Sequence, residues 1–398
     1  MALFDKFKQL ANHREALFHG GIDPGRVVIE RILSPTHAII DGRETVLFGT
    51  NNYLGLTFDE QSIDAGRAAL SREGTGTTGS RMANGSYAGH AALERELADF
   101  FGRKHCVVFS TGYSANLGVL MGLAGPGDVI IIDADSHASI YDGCRMSGAE
   151  VFRFRHDDAA DLDRRLKRLG SRASDALIVV EGLYSMLGDR ADLARIAAVK
   201  AESGAFLVVD EAHSLGVFGA TGRGVAEEAG VEAEVDFVVG TFSKSLGTTG
   251  GYCVSNHDEL ELLRYSSRPF VFTASPCPSV VACTRAALTN LRERPELRTR
   301  LWDNVRRLAG HLERLERPDR PPSPVVPILL SNPALAVETW KELLERGIYL
   351  NLVLPPAAPN GISLLRLSLS AAHSAADIDQ VGDALVALLG GVMKSSPG

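Results

Sequence analysis

The stretch GTFSKSLGTTGGY, residues 240–252, decides how the rest of the chain reads. It follows a mostly apolar run at 235–239, so Lys244 falls just past the end of a buried strand, in a loop of small and hydroxyl residues. An unpaired ammonium in a dry site loses hydration, its pKa drops, and the free amine becomes a nucleophile toward carbonyl groups. Thr241, Ser243, Thr248 and Thr249 put hydroxyls beside it. A lone lysine in a loop is ordinarily a solvated surface residue. What sets this one apart lies in the strand ends upstream.

Apolar runs at 106–109, 129–132, 177–180, 206–209 and 235–239 are mostly separated by helical sequence, and each leads into polar residues. The first opens into Ser110, Thr111, Gly112 and Tyr113, followed by a helix at 114–123. The second leads to Asp133, Asp135 and His137, the third to Glu181 and Ser185, the fourth to Asp210 and His213, and the fifth to Lys244. Residues 252–255 read as a further strand running against the others. Parallel α/β sheets bind ligands in the crevice outside the carboxyl ends of their strands, so these groups are expected to converge on one site.

Such a set matches pyridoxal phosphate group by group. Lys244 would hold the aldehyde as an imine, and Asp210, at the end of a dry strand, would keep the ring nitrogen protonated by charge pairing. His213 would bond the phenolic oxygen, with Ser185 nearby, and His137 would lie on the ring face. The amides of Gly112 and Tyr113, at a helix N-terminus, would take the phosphate, helped by Thr241 and Ser243.

With 398 residues, the chain suits one large domain plus a smaller one. The expected division is 1–58 for an N-terminal helix and short strands, 59–290 for the large cofactor-binding domain, and 291–398 for a small α+β domain. The formal charge of −8 argues against a nucleic-acid partner, which would need a basic face. No apolar run is long enough to span a bilayer, and the N-terminus lacks a signal layout, so residence in the cytosol is expected. The five cysteines are scattered, without CxxC or His pairing at ligand spacing, so neither a disulfide frame nor a metal site is expected.

Residues 3–18 place Leu3, Phe4, Phe7, Leu10, Ala11, Leu17 and Phe18 near one helical face, which suits docking on this protein or a partner subunit and leaves open a peripheral membrane contact. Runs at 27–33 and 38–47 read as strands, the second turned at Asp41-Gly42. Gly74, Gly76 and Gly79 fit G-x-G-x-x-G, but the motif follows a helix at 59–73 rather than a strand, so it reads as a mimic of the dinucleotide fingerprint.

Taken together, NNYLGL (51–56), GTGTTGSRMANG (74–85), STGYSANLG (110–118), DADSHASIYDG (133–143), EGLYSMLGD (181–189), DEAHSLGVFGATGRG (210–224), the Lys244 stretch and LLRLSLSAAH (364–373) make a chain that resembles the α-oxoamine synthases over almost its whole length. The resemblance implies a fold-type I pyridoxal-phosphate enzyme, α/β, with a mostly parallel seven-stranded sheet in its large domain. It implies the condensation of an amino acid, L-serine on the motif wording, with a long-chain acyl-CoA and loss of carbon dioxide. The branches that make 8-amino-7-oxononanoate or 2-amino-3-ketobutyrate, or that off-load polyketide chains, are the alternatives. By the same likeness Lys244, Asp210, His213 and His137 are catalytic, Arg366 grips the substrate carboxylate, and Asn52 and Ser80 assist. Thr273 and Ala274 would reach the neighbouring subunit's phosphate, which implies a homodimer. DPGRV at 23–27 and the residues around Arg366 depart from the pattern, where substrate choice would be set.

Overall fold

The computed structural model of the protein describes residues 3–18, 23–315, 320–330, 332–355 and 362–390. The proline-rich connector expected at 317–324 lies partly, and the frayed tail after 394 wholly, outside the described residues. Contacts divide the chain into two units: residues 52–185 with 189–300, and residues 1–51 with 186–188 and 301–398. The cut between 300 and 301 falls inside the helix Pro295–Leu312, a place that composition does not mark.

The larger unit is built on seven strands in the order His105–Phe109, Gly251–Ser255, Phe237–Thr241, Phe206–Asp210, Leu177–Glu181, Val129–Asp133, Glu150–Phe154. Gly251–Ser255 pairs antiparallel to both neighbours, and the remaining pairs are parallel. Every residue of Val129–Asp133, Leu177–Glu181 and Phe237–Thr241 is buried, which is why these strands read as mostly apolar runs. The strand Glu150–Phe154, at the sheet edge opposite His105–Phe109, escaped that reading: Glu150 and Arg153 interrupt its apolar residues, and only Phe154 is buried. The strand expected at 235–239 begins two residues later, at Phe237.

Helix Gly112–Leu123 packs Ala115, Val119 and Leu120 against Phe109, Ile130 and Ile132 of the sheet. Burying a valine or leucine contributes about 1.5–3 kcal/mol, and the same helix also packs against the helix Ala138–Ser147. Thr111 caps it, its Oγ1 accepting the amide of Ser114 at 3.0 Å. Between the central strands the register makes Glu181 and Asp210 direct partners, so the two acids end side by side at the carboxyl edge of the sheet.

The smaller unit holds a four-stranded sheet, Ile29–Ile32, His37–Ile40, Arg43–Leu47 and Ile348–Tyr349, and an antiparallel sheet of Val325–Leu330, Ser363–Ser368 and Asn351–Val353. The expected turn is present: Ile40 faces Arg43, with Asp41 and Gly42 between them at φ 50° and 69°. Ile348–Tyr349 pairs parallel to Arg43–Leu47, which joins the N-terminal strands to C-terminal sequence. On the N-terminal helix Lys6–Phe18 and the turn before it, Leu3, Phe4, Phe7 and Leu10 are exposed. Among the described residues no helix is long and apolar enough to cross a membrane.

Candidate active site

A cavity of about 280 Å³ opens at the carboxyl ends of the central strands. Gly112, Tyr113, His137, Asp210, His213, Thr241, Ser243 and Lys244 all line it, so the expected convergence is observed for these eight. The Lys244 loop leaves the sheet at Thr241 and returns at Gly251, the residue paired with it. Phe242 and Gly250 close its base through a 3.0 Å amide-to-carbonyl bond. Thr241 Oγ1 donates to the Gly250 carbonyl at 2.9 Å and meets Ser243 Oγ at 2.9 Å. Lys244 is half-buried and shares the cavity with the carboxylates of Asp210 and Glu181. The expectation of an unpaired ammonium in a dry site is therefore not met; the lysine stands in a charged setting.

Asp210 is buried and doubly held: Asn116 Nδ2 donates to Oδ2 at 2.7 Å, and the Ala212 amide to Oδ1 at 2.9 Å. Asn116 also donates to Ser139 Oγ at 3.0 Å, while its own buried Oδ1 has no protein partner. His213 is fixed by Tyr53, whose hydroxyl lies 2.7 Å from Nδ1. His137 caps the helix Ala138–Ser147, its Nδ1 accepting the Ser139 amide at 3.2 Å. A neutral ring so placed carries its proton on Nε2. Burial, more than Lys244 nearby, lowers the His137 pKa, and Asp210 opposes the shift.

Behind His137 lies a second set of charges. Asp133, fully buried, accepts the amides of Asp135 and Asp157 at 2.8 and 2.9 Å. His156 bridges Asp133 and Asp189 with bonds of 2.9 and 2.5 Å. Burial alone would lower the His156 pKa, but the two carboxylates raise it to about 10. Burial pushes the Asp133 carboxyl up, and His156 with the two amides brings it below the usual carboxylate value.

Other expected site residues lie elsewhere. Ser185 is outside the cavity lining, as are Thr273 and Ala274; Ala274 is exposed, and its carbonyl accepts Ser110 Oγ at 2.6 Å. Ser80 sits in the glycine-rich loop after helix Glu60–Glu73, its carbonyl taking the amides of Ala83 and Gly85. That loop does follow a helix, in keeping with its reading as a mimic. Asn52 is buried and donates to Thr57 Oγ1 at 2.9 Å. Arg366, in the smaller unit, reaches Asn51 Oδ1 through both terminal nitrogens at 3.2 Å and Ser368 Oγ at 3.1 Å. Sequence reasoning missed Asn116, Tyr53 and Ser139. Each lies inside a quoted motif, but only the fold shows that Asn116 and Ser139 line the cavity and that Tyr53 reaches His213.

The cavity suits pyridoxal phosphate. A Cβ on Gly112 would lie 2.7 Å from Thr241 Cβ, so only glycine leaves the helix N-terminus open, and first-turn amides have no helical acceptor. Amine, carboxylate and imidazoles complete the donor set around the same space.

The family model of aminotransferase class I and II matches residues 43–385. A serine palmitoyltransferase of Caulobacter vibrioides is 56% identical over 382 residues, 96% of this chain and 95% of the relative. An 8-amino-7-oxononanoate synthase of Methylococcus capsulatus is 42% identical over 352 residues, 88% of this chain and 90% of the relative. A high-resolution structure of SPT with PLP superposes with a TM-score of 0.95 at 47% identity, covering 98% of this chain and 100% of that one.

Proposed function

The chain belongs to the aminotransferase class I and II family, and from that premise we propose that it catalyses the decarboxylating condensation of L-serine with palmitoyl-CoA, giving 3-ketodihydrosphingosine, CoA and carbon dioxide. It is a fold-type I acyltransferase that uses pyridoxal phosphate. The higher identity to a serine palmitoyltransferase than to an 8-amino-7-oxononanoate synthase favours serine and a long acyl chain. The observation that carries the reading is the gathering of Lys244, Asp210, His137, His213 and the first-turn amides after Thr111 around one cavity.

When bound, pyridoxal phosphate supplies an aldehyde that takes up amines and a ring that accepts the electron pair left at Cα. Lys244 would anchor the group, and its amine would be the base for the Cα proton. Asp210, oriented by Asn116 and Ala212, pairs with the ring nitrogen and keeps it protonated. His213, steadied by Tyr53, is assigned to the phenolic oxygen, with Ser185 assisting, and His137 to the ring face. Gly112, Tyr113, Thr241 and Ser243 hold the phosphate. On the family likeness, Arg366 binds the substrate carboxylate with Asn52 and Ser80. Thr273 and Ala274 serve the phosphate of a second copy, which makes the working unit a homodimer.

The test pairs serine, alanine and glycine with short and long acyl-CoAs and follows free CoA. Release only with serine and a long chain supports the assignment; equal release with glycine or a short chain refutes it. Lys244→Ala is expected to lose both the absorbance of the lysine imine and turnover. A colourless wild-type protein that turns over would overturn the cofactor assignment.

A further inference from the structure

Among the described residues, Glu181 is the one carboxylate lining the cavity that the proposed chemistry does not use. It is buried, and it is paired with Asp210 across adjacent strands. The hydrogen bonding of the two acids is unequal. Asp210 receives Asn116 Nδ2 and the Ala212 amide, one on each oxygen, whereas Glu181 receives only the His137 amide, 2.5 Å from Oε1. Donors stabilise an anion, and two adjacent buried carboxylates resist ionising together, so the better-solvated member keeps the charge.

From this asymmetry, on the premise of the proposed function, we infer that Glu181 resides in the cavity as the neutral acid, a positioning residue that pins the His137 loop through its carbonyl oxygen and leaves Asp210 as the fixed anion of the pair. Burial first and then Asp210 push its pKa well above the ordinary value, the His137 amide and Lys244 oppose them, and Asp133 adds least. The His137 ring is itself neutral when its pKa is lowered, so it adds no counter-charge. The arrangement leaves one fixed negative charge, on Asp210, for the ring nitrogen that the proposed function pairs with it.

The test is infrared difference spectroscopy of the cofactor-loaded protein, wild type minus Glu181→Gln, at about pH 7.5. The expected result is a protonated-carboxyl C=O band in the wild type that the variant lacks. A difference spectrum with carboxylate bands in place of that band overturns the inference. Asp210→Asn gives a second reading: with its charged neighbour gone, Glu181 ionises more easily, and the band should vanish at lower pH than in the wild type. An unshifted band there also counts against it. If the purified protein carries no cofactor chromophore, the proposed function fails; if the chromophore is present and the band absent, only this inference fails.

Discussion

Replacing His156 by glutamine removes a cation held between two carboxylates, one of them, Asp133, fully buried. The His156 pKa rises from 6.5 to about 10 on folding, and each unit corresponds to about 1.4 kcal/mol. A raised folded pKa stabilises most below the unfolded value, so the contribution is full below about pH 6.5, roughly 5 kcal/mol, and is lost as pH rises toward 10. At about pH 7.5 some 3 kcal/mol remains, and near pH 9 roughly half of that. Urea unfolding of wild type and His156→Gln between about pH 6 and 10 reads this directly: the stability gap between the two should narrow steadily as pH rises. A gap that stays constant over that range would refute the claim that a charged imidazole holds these acids together.

Gly112→Ala places a methyl group 2.7 Å from Thr241 Cβ at the phosphate end, and should weaken pyridoxal-phosphate binding by about tenfold or more, measured by fluorescence titration, at an overpacking cost of ~1–3 kcal/mol. Asp210→Asn keeps the shape but not the charge; it should retain bound cofactor while slowing Cα–H exchange of serine by about 100-fold or more, followed by NMR in heavy water. Arg366→Ala should raise the KM for serine by at least about tenfold while the cofactor absorbance stays intact, and unchanged serine affinity would remove that role.

The legible parts of the fold were those where burial writes itself into the sequence. Val129–Asp133 and Leu177–Glu181 announce themselves because neighbours cover both faces, and the turn at Asp41-Gly42 because its backbone demands those residues. Glu150–Phe154 was illegible because it buries only Phe154, and Glu150 and Arg153 interrupt its apolar residues. The site was readable as a set of strand ends, and eight residues did gather in one cavity. What the string of letters withheld was the support: that Asn116, one helical turn beyond Gly112, holds Asp210, and that Tyr53 steadies His213. Such contacts join residues far apart in the chain, and neither periodicity nor spacing encodes them. The pairing of Ile348–Tyr349 with Arg43–Leu47 was hidden for the same reason.

The return of Gly251 to pair with Thr241 gives the Lys244 loop two moored ends. A tether fixed at both feet leaves only the flexible four-carbon arm of the lysine to travel. Each arrival or departure of the amine then costs at most the rotamer freedom of one side chain, about 2 kcal/mol, with no segment of backbone to refold. On the role proposed for Lys244, its nitrogen can come and go while both ends of the loop stay paired to the sheet.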